Sequence, residues 1–196
     1  MINSFVYFPT IIYRDEQPQW VEFTKQVTEK YFKKQNNDSS FIQTENLVDD
    51  VELNFFSEYI LKISGDILKN QGYFLEKYNI FLSSLWGQKI FQGSGTDVHI
   101  HKKSQLCGWF FLETPENGSY PIYYDPRMNK EIIEMDYIIT EQLNVCNSQV
   151  HFNNIVPGTI LITNSWIKHS LTFHNSKDPT VGLHFIISEK EKLCNI

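Results

Sequence analysis

The first part of the chain carries the hydrophobic spacing of amphipathic helices. Between residues 19 and 34, apolar side chains recur at intervals of three and four: Trp20, Phe23, Val27 and Tyr31. The same spacing returns at Leu53, Phe56, Ile60, Ile63 and Ile67. It places apolar side chains on one helical face, and Gly72 is suited to ending the second helix. We therefore predict two helices and a mostly helical region over residues 1–75.

Beyond residue 75 the pattern changes to short β-branched and aromatic runs separated by turn signals. A similar run opens the chain at residues 5–13, where Pro9 favours a sheet edge. Eight strands are predicted, at residues 80–91, 105–112, 120–124, 132–139, 149–152, 159–163, 170–174 and 181–188. This order predicts a mainly β fold with N-terminal helices, a double-stranded β-helix (jelly roll, cupin-like) with two helices packed on one sheet.

We expect one domain over residues 1–196, with residues 1–75 as a helical support and residues 76–196 as the jelly-roll core. At 41% hydrophobic residues, a chain of 196 residues can bury a core without disulfides or structural metals. No apolar run approaches the roughly 18 residues that a membrane helix requires.

Charge and cysteine content narrow the classes of function. The net charge of -6 comes without a basic stripe, which argues against nucleic-acid binding. The N-terminus shows no secretory signal, and the three cysteines have no CxxC spacing. We therefore expect a cytoplasmic location, with cysteines that are reduced and mostly packed in the core.

Two histidines separated by one residue, His99 and His101, are the main candidates for chemistry. On a strand such residues face the same side. His169 is the best third member, because it follows a strand-like run and can return from a facing sheet. Imidazole nitrogens suit iron, zinc, copper and nickel. An HxH pair alone, however, is a surface or hydrogen-bonded pair about as often as it is a metal site. We interpret the three histidines as an iron-type site.

A series of motifs follows in a fixed order along the chain. They are Leu85-Trp-Gly-Gln88, Gly93, His99-Ile-His101, Leu106-Cys-Gly-Trp-Phe-Phe-Leu112, Tyr124-Asp-Pro-Arg127 and the run from Gly158 to His169. This series resembles a small branch of the Fe(II)/2-oxoglutarate-dependent oxygenases, found in bacteria and tailed bacteriophages, with an HxH...H motif. The resemblance implies a dioxygenase in which the three histidines hold Fe(II) and 2-oxoglutarate occupies open coordination positions. The products would be a hydroxylated substrate, succinate and CO2.

The chain departs from the pattern of the wider superfamily at three positions. The superfamily usually has a carboxylate where this chain has His101, and Asp97 is the alternative ligand. An arginine that holds the far carboxylate of 2-oxoglutarate is replaced by Thr180, and a common tyrosine is replaced by Phe111. The hydroxyl of Thr180 brings no charge to a dicarboxylate, and Phe111 lacks the hydroxyl of the tyrosine. Both replacements are therefore expected to weaken cosubstrate binding.

The residues expected to bind the cosubstrate are Gln88, Phe111, Thr180 and His184. The missing cation has four candidate substitutes, each of which is also readily explained as a surface or locally paired charge: Lys102, Lys103, Lys168 and Arg127. The remaining histidines, His151 and His174, are expected at strand ends on the surface. Trp86 and Trp109 are expected to be core aromatics.

Three functions remain open from the sequence. The first is a hydroxylase acting on a small molecule, an amino-acid side chain or a protein partner. The second is a three-histidine metalloprotein that keeps iron without 2-oxoglutarate, in the manner of thiol dioxygenases. The third is a binding or virion-associated structural module. A homo-oligomer is possible under each function, and residues 136–154 are a candidate lid or partner surface.

Overall fold

The computed structural model describes residues 9–34, 39–127 and 148–192. Its helices are α1 (Val21–Phe32) and α2 (Asn54–Asn70). The strands are β1 (Ile12–Glu16), β2 (Phe41–Gln43), β3 (Tyr78–Ile90), β4 (Thr96–His99), β5 (Leu106–Glu113), β6 (Pro121–Tyr124), β7 (Gln149–His151), β8 (Thr159–Asn164), β9 (His169–Leu171) and β10 (Thr180–Glu191).

The described strands form two antiparallel sheets. The major sheet has the order β1-β8-β5-β10-β3-β2, and the minor sheet has the order β4-β9-β6-β7. Consecutive strands of the chain alternate between the two sheets from β3 to β6 and from β7 to β10, as expected for a jelly roll. The predicted fold class is therefore confirmed.

Both predicted helices are present and cover one face of the major sheet. Their buried side chains join those of the major sheet in one apolar cluster. At its centre the ring of Phe56 on α2 stacks on Phe110 of β5, with centroids 5.2 Å apart. After α2, Gly72 adopts a positive φ of 92°, and its amide donates to the Lys69 carbonyl. This left-handed residue ends the helix as predicted, since glycine meets no Cβ penalty there.

A second apolar cluster fills the space between the sheets. Its members come from both sheets and from their connections: Ile90, Trp109, Phe111, Tyr123, Ile155, Leu161, Ile167 and Leu171. The alternation of β3 and β5 produces the two clusters, because successive side chains of a strand point to opposite faces. Even β5, which is buried from Leu106 to Leu112, sends Phe110 toward the helices and Trp109 between the sheets. The intersheet layer is where the candidate site lies.

The N-terminal region is less helical than predicted. It contributes β1, which pairs with β8, and β2, which pairs with β3, so it supplies both edges of the major sheet among the described residues. β2 has only three residues, too short a run for a periodic signal, and its conformation is set by pairing. Parts of the predicted segments at residues 5–13 and 35–40, and all of the strand at 132–139, lie outside the described residues.

None of the described helices is long and apolar enough to cross a membrane. Cys107 is buried, and burial raises the pKa of its thiol to about 12, which agrees with the expected core position. Cys146 and Cys194 lie outside the described residues, as does most of the candidate lid at 136–154.

Candidate metal centre and cavity

Three histidines meet between the two sheets. His99 ends β4 and His169 begins β9, and the two residues are partners in the register of these strands. His101 lies two residues beyond His99, and its backbone amide donates to the Ser165 carbonyl, in the connection between β8 and β9. One ring nitrogen from each histidine lies within 4.8 Å of the others. The sequence-predicted triad is thus brought together by adjacent ends of two short strands.

Hydrogen bonds set the orientation of two of these rings. The Nδ1 of His99 donates to the Asp97 carbonyl at 2.8 Å, and the Nδ1 of His169 donates to the Ile167 carbonyl at 2.9 Å. A proton on Nδ1 leaves the Nε2 of the same neutral ring with a free lone pair, the arrangement found for histidines that bind metals. Backbone carbonyls therefore prepare both rings to act as ligands.

The spacing of the nitrogens fits one metal ion. The Nε2 atoms of His101 and His169 are 3.2 Å apart. Two ligands at right angles, each about 2.1 Å from a metal, would be separated by about 3 Å. The donor set of three imidazoles also suits iron and other transition metals. The residues present therefore fit the metal that the sequence suggests.

A β-bulge decides which residues of the HxH segment face inward. Thr96 pairs with Leu171 and His99 with His169, so β4 has one more residue than β9 between these pairs. Both Thr96 and His99 consequently line the cavity, although residues three apart on a regular strand face opposite sides. Asp97 is exposed, and it is not a member of the metal-competent group formed by the described residues. The structure therefore favours His101 over Asp97 as the third ligand.

The triad opens into a cavity of about 310 Å³. This volume is at the lower end of the range for small-molecule sites. Its other lining residues come mainly from the inner faces of both sheets: Phe41, Gln43, Trp86, Gln88, Thr96, Trp109, Pro121, Tyr123, Ser170, Leu171 and His184.

Two of the four expected cosubstrate residues, Gln88 and His184, line this cavity. The ring of His184 lies 4.9 Å from that of His101 and stacks on Trp86 at 5.8 Å. Trp109 meets the same ring edge-on at 5.6 Å. The interpretation of Trp86 and Trp109 as core residues alone was incomplete, since both also form the cavity wall. Strand alternation indicates this position for Trp86, because Trp86 and Gln88 are two residues apart and therefore face the same side of β3.

Phe111 and Thr180 do not line the cavity. A Cβ built on Gly182 would lie 3.0 Å from the Trp109 ring, so this ring lies over Gly182, between His184 and Thr180 along β10. Phe111 stacks behind Trp109, with ring centroids 5.4 Å apart. The structure thus separates Thr180 from the triad by an aromatic ring.

Thr180 instead belongs to a small buried polar cluster. Its hydroxyl accepts from the Ser119 amide at 3.1 Å and lies 3.4 Å from the Nδ1 of His174. The Nε2 of His174 donates to the Asp178 carbonyl at 2.8 Å. His174 is fully buried, so the expected surface position for it was wrong. The reason is that hydrogen bonds at both ring nitrogens offset its loss of hydration.

The candidate substitute cations lie elsewhere. Lys102, Lys103 and Lys168 are exposed, and Arg127 pairs with Asp125 as expected for its position in a turn. Among the described residues that line the cavity there is neither a lysine nor an arginine. The polar side chains that line the cavity beside the triad are therefore uncharged: the amides of Gln43 and Gln88, the imidazole of His184 and the hydroxyls of Thr96, Ser170 and Tyr123.

Burial keeps His101 and His169 neutral. It lowers the pKa of His101 to about 4, with further lowering from His169 and His99. Burial also lowers the pKa of His169 to about 4, opposed by its hydrogen bond to Ile167. The pKa of His184 falls well below its usual range for the same reason. Neutral imidazoles have their lone pairs available for a metal at physiological pH.

This neutrality predicts that the metal-free protein loses stability as the pH falls from 6.5 toward 4. The unfolded chain then binds more protons than the folded chain, because the pKa of His169 is 6.5 in the unfolded chain and about 4 in the folded chain. The free energy of unfolding should fall by up to about 1.4 kcal/mol per pH unit from this residue. Above pH 6.5 its contribution is constant. Urea unfolding in the presence of a chelator, repeated between pH 6.5 and pH 4, measures this effect. The free energy of unfolding should fall less steeply with pH in His169→Gln than in the wild type, and an equal dependence on pH would contradict the prediction.

The sequence that forms this site matches the model of a known protein family. A family model described as "Putative 2OG-Fe(II) oxygenase" matches residues 84–185, or 102 of 196 residues. This span contains all three histidines of the triad and also Gln88 and His184. No curated protein matches the chain by sequence.

Solved structures share the fold at low identity. The epimerase SnoN, in complex with Fe3+, alpha ketoglutarate and nogalamycin RO, has a TM-score of 0.68 at 8% identity, covering 95% of this chain and 83% of that one. HygX from Streptomyces hygroscopicus, with nickel and 2-oxoglutarate bound, has a TM-score of 0.60 at 10% identity, covering 91% and 83%. A prolyl-4-hydroxylase from Pseudomonas putida has a TM-score of 0.54 at 10% identity, covering 93% and 87%. Because the family model matches more than half of the length of this chain, the chain belongs to the 2OG-Fe(II) oxygenase family.

Proposed function

We propose that this protein is a non-haem Fe(II)- and 2-oxoglutarate-dependent dioxygenase that hydroxylates its substrate. The observation that carries the proposal is the pair of imidazole nitrogens 3.2 Å apart, lining a cavity between two sheets, with a third histidine beside them. Family membership and neighbours with bound metal and 2-oxoglutarate support it.

His99, His101 and His169 would hold the metal. When bound, Fe(II) together with 2-oxoglutarate and O2 supplies the oxidation of a C–H bond. Three neutral ligands leave the full charge of +2 on the ion, which favours anionic ligands at the positions facing the cavity. The carbonyls of Asp97 and Ile167 keep two of the rings aligned through their Nδ1 protons.

Aromatic side chains restrict water around the triad. The ring of Tyr123 lies 6.0 Å from that of His169, and Trp109 borders His184. Tyr123 and Trp109 are buried, and Leu171 lies beside them in the same cavity wall. Excluding water strengthens the electrostatic interactions of a bound anion and prevents side reactions. His99, in contrast, is exposed, so the substrate would approach from its side.

The substrate would be a small molecule or a side chain of a protein. A small-molecule ligand is present in the SnoN complex, and the Pseudomonas protein is a prolyl-4-hydroxylase. Specificity in such enzymes is set by loops around a rigid scaffold. The small cavity volume favours a substrate that enters only by its reacting portion.

The test is iron-dependent conversion of 2-oxoglutarate to succinate. Purified protein incubated with Fe(II), 2-oxoglutarate and O2 should release succinate above the rate of the metal-free sample, as measured by mass spectrometry. His101→Ala should remove this activity, whereas the exposed control His151→Ala should keep it. Absence of succinate, together with absence of 2-oxoglutarate binding to metal-loaded protein, would refute the proposal.

A second candidate is a three-histidine metalloprotein that does not use 2-oxoglutarate. The observation that favours it is the lack of a lysine or arginine among the described residues lining the cavity. This candidate would bind iron but show no calorimetric response to any 2-oxo acid. A non-catalytic module would keep its stability and assembly after replacement of all three histidines.

A further inference from the structure

The wall of the cavity that the major sheet supplies carries uncharged hydrogen-bonding groups. Gln43 of β2 and Gln88 of β3 are partners in register, and the Nε2 of Gln88 donates to the Oε1 of Gln43 at 2.7 Å. His184 lies on the next strand, β10, paired with Trp86. Gln88 is 7% exposed and His184 is 4% exposed. These side chains form what we call the amide wall: Gln43, Gln88 and His184.

The glutamine pair leaves both donors and acceptors facing the cavity. After the bond between them, the amide NH2 of Gln43 retains two donors, while Gln88 retains a carbonyl oxygen and one N–H. A carboxylate brings a charge that no lysine or arginine among the described lining residues offsets. The carbonyl of an ester or amide tail can accept the same hydrogen bonds from the two glutamines without burying a charge.

His184 adds a ring nitrogen that lacks a partner. Its Nδ1 is buried and has no hydrogen bond, although the ring is held between Trp86 and Trp109. Buried polar atoms in folded proteins are nearly always paired, so an unpaired one in a residue that lines a cavity is available to a ligand. The tryptophans fix the plane of this ring, so His184 cannot turn away to find another partner.

We propose that the amide wall receives the far end of a 2-oxo acid through neutral hydrogen bonds, so that the site takes a 2-oxo acid with an uncharged ester or amide tail as readily as 2-oxoglutarate. This inference rests on the proposed function, because the 2-oxo end of the ligand binds the metal held by the triad. The residues of the amide wall then determine cosubstrate specificity.

No cation among the described lining residues offers an alternative anchor for a charged tail. Thr180 is separated from the cavity by Trp109 and is already bonded to Ser119. The described cavity wall has neither lysine nor arginine. A tail that extends from the triad across the cavity therefore meets the amide wall.

The test compares three ligands by anaerobic calorimetry on Fe(II)-loaded protein: 2-oxoglutarate, its 5-methyl ester and 2-oxohexanoate. We expect the first two to bind with dissociation constants within about threefold of each other. 2-Oxohexanoate, which cannot hydrogen-bond at its tail, should bind about tenfold more weakly, the effect of a neutral hydrogen bond or two. A cationic anchor would instead favour 2-oxoglutarate over the ester by about tenfold or more.

Variants assign the effect to the amide wall. Gln88→Leu should weaken 2-oxoglutarate and the ester by about fivefold and leave 2-oxohexanoate unchanged. Gln26→Leu, on the exposed side of α1, is the matched control and should change none of the three. If Gln88→Leu does not fold, Gln43→Leu at the exposed cavity mouth replaces it. His184→Phe keeps the ring stacking but removes the ring nitrogens, and should act in the same direction as Gln88→Leu.

The outcomes separate this inference from the proposed function. Preference for 2-oxoglutarate over its ester by tenfold or more, unaffected by Gln88→Leu, would overturn the amide wall and leave the proposed function standing. Failure of metal-loaded protein to bind any of the three ligands would overturn both. Equal binding of 2-oxoglutarate and the ester, lost in part in Gln88→Leu, supports the inference.

Discussion

Replacing His169 with alanine should abolish metal binding and every activity that depends on it. His169 is 7% exposed, its Nδ1 is committed to the Ile167 carbonyl, and its Nε2 faces that of His101. Loss of a residue that only orients a ligand costs 10–100-fold in metal affinity, so loss of the ligand itself should cost at least about 100-fold. Titration of the chelator-treated protein with Fe(II) or Ni(II) measures this loss directly.

The matched control is His151→Ala. His151 lies at the end of β7, in the same minor sheet, but it is exposed and outside the cavity. Its replacement should leave metal affinity within about twofold of the wild-type value, in line with other surface substitutions. Equal affinities for the metal in wild type and His169→Ala, with the fold retained, would contradict the assignment of the triad.

The largest effect on stability is expected for Gly108→Ala. Gly108 is in the centre of β5, and a Cβ there would overlap the Leu161 carbonyl oxygen and the Phe185 ring. The backbone of β8 cannot retreat without losing its pairing with β5. Overpacking of this kind destabilises by about 1–3 kcal/mol or more. Urea unfolding should place Gly108→Ala at or beyond the upper end of that range.

Gly65→Ala provides the opposite expectation in the same protein. Gly65 lies inside α2, and a Cβ there would make only an ordinary contact of 3.4 Å with Ile80. Alanine in a helix interior is more favourable than glycine by roughly 0.5–1 kcal/mol. Gly65→Ala should therefore raise the free energy of unfolding. A similar loss of stability in both variants would show that the packing around Gly108 does not decide the effect.

The sequence predicted the helices and most strands because their periodicity is local. Apolar positions three and four apart defined α1 and α2, and β-rich runs between turns located β3, β5, β8 and β10 within two or three residues of their ends. β2 and β4, of three and four residues, were missed as elements, although the equally short β6, β7 and β9 were predicted. Such short strands depend on pairing with distant residues, which no local pattern encodes.

The histidines of the metal-competent group and two residues of the cavity wall, Gln88 and His184, were predictable from the sequence. His99, His101 and His169 could be named from spacing and from the order of motifs. The isolation of Thr180 could not, since it results from a tryptophan on one strand lying over a glycine on another. The inward position of Trp86 and Gln88 follows from strand alternation once β3 is placed in the intersheet layer. Only three-dimensional packing reveals which of several polar residues share a cavity.

The bulge in β4 gives the segment between Thr96 and His99 one residue more than its pairing with β9 requires. Deleting Asp97 or Val98 would leave Thr96 and His99 two residues apart, and residues two apart on a regular strand face the same side, so both would still face the cavity. Such a deletion would remove the bulge without removing a histidine from the cavity. Among natural variants of this chain, the loss of one residue in this segment should accordingly be less strongly disfavoured than substitution of the histidines.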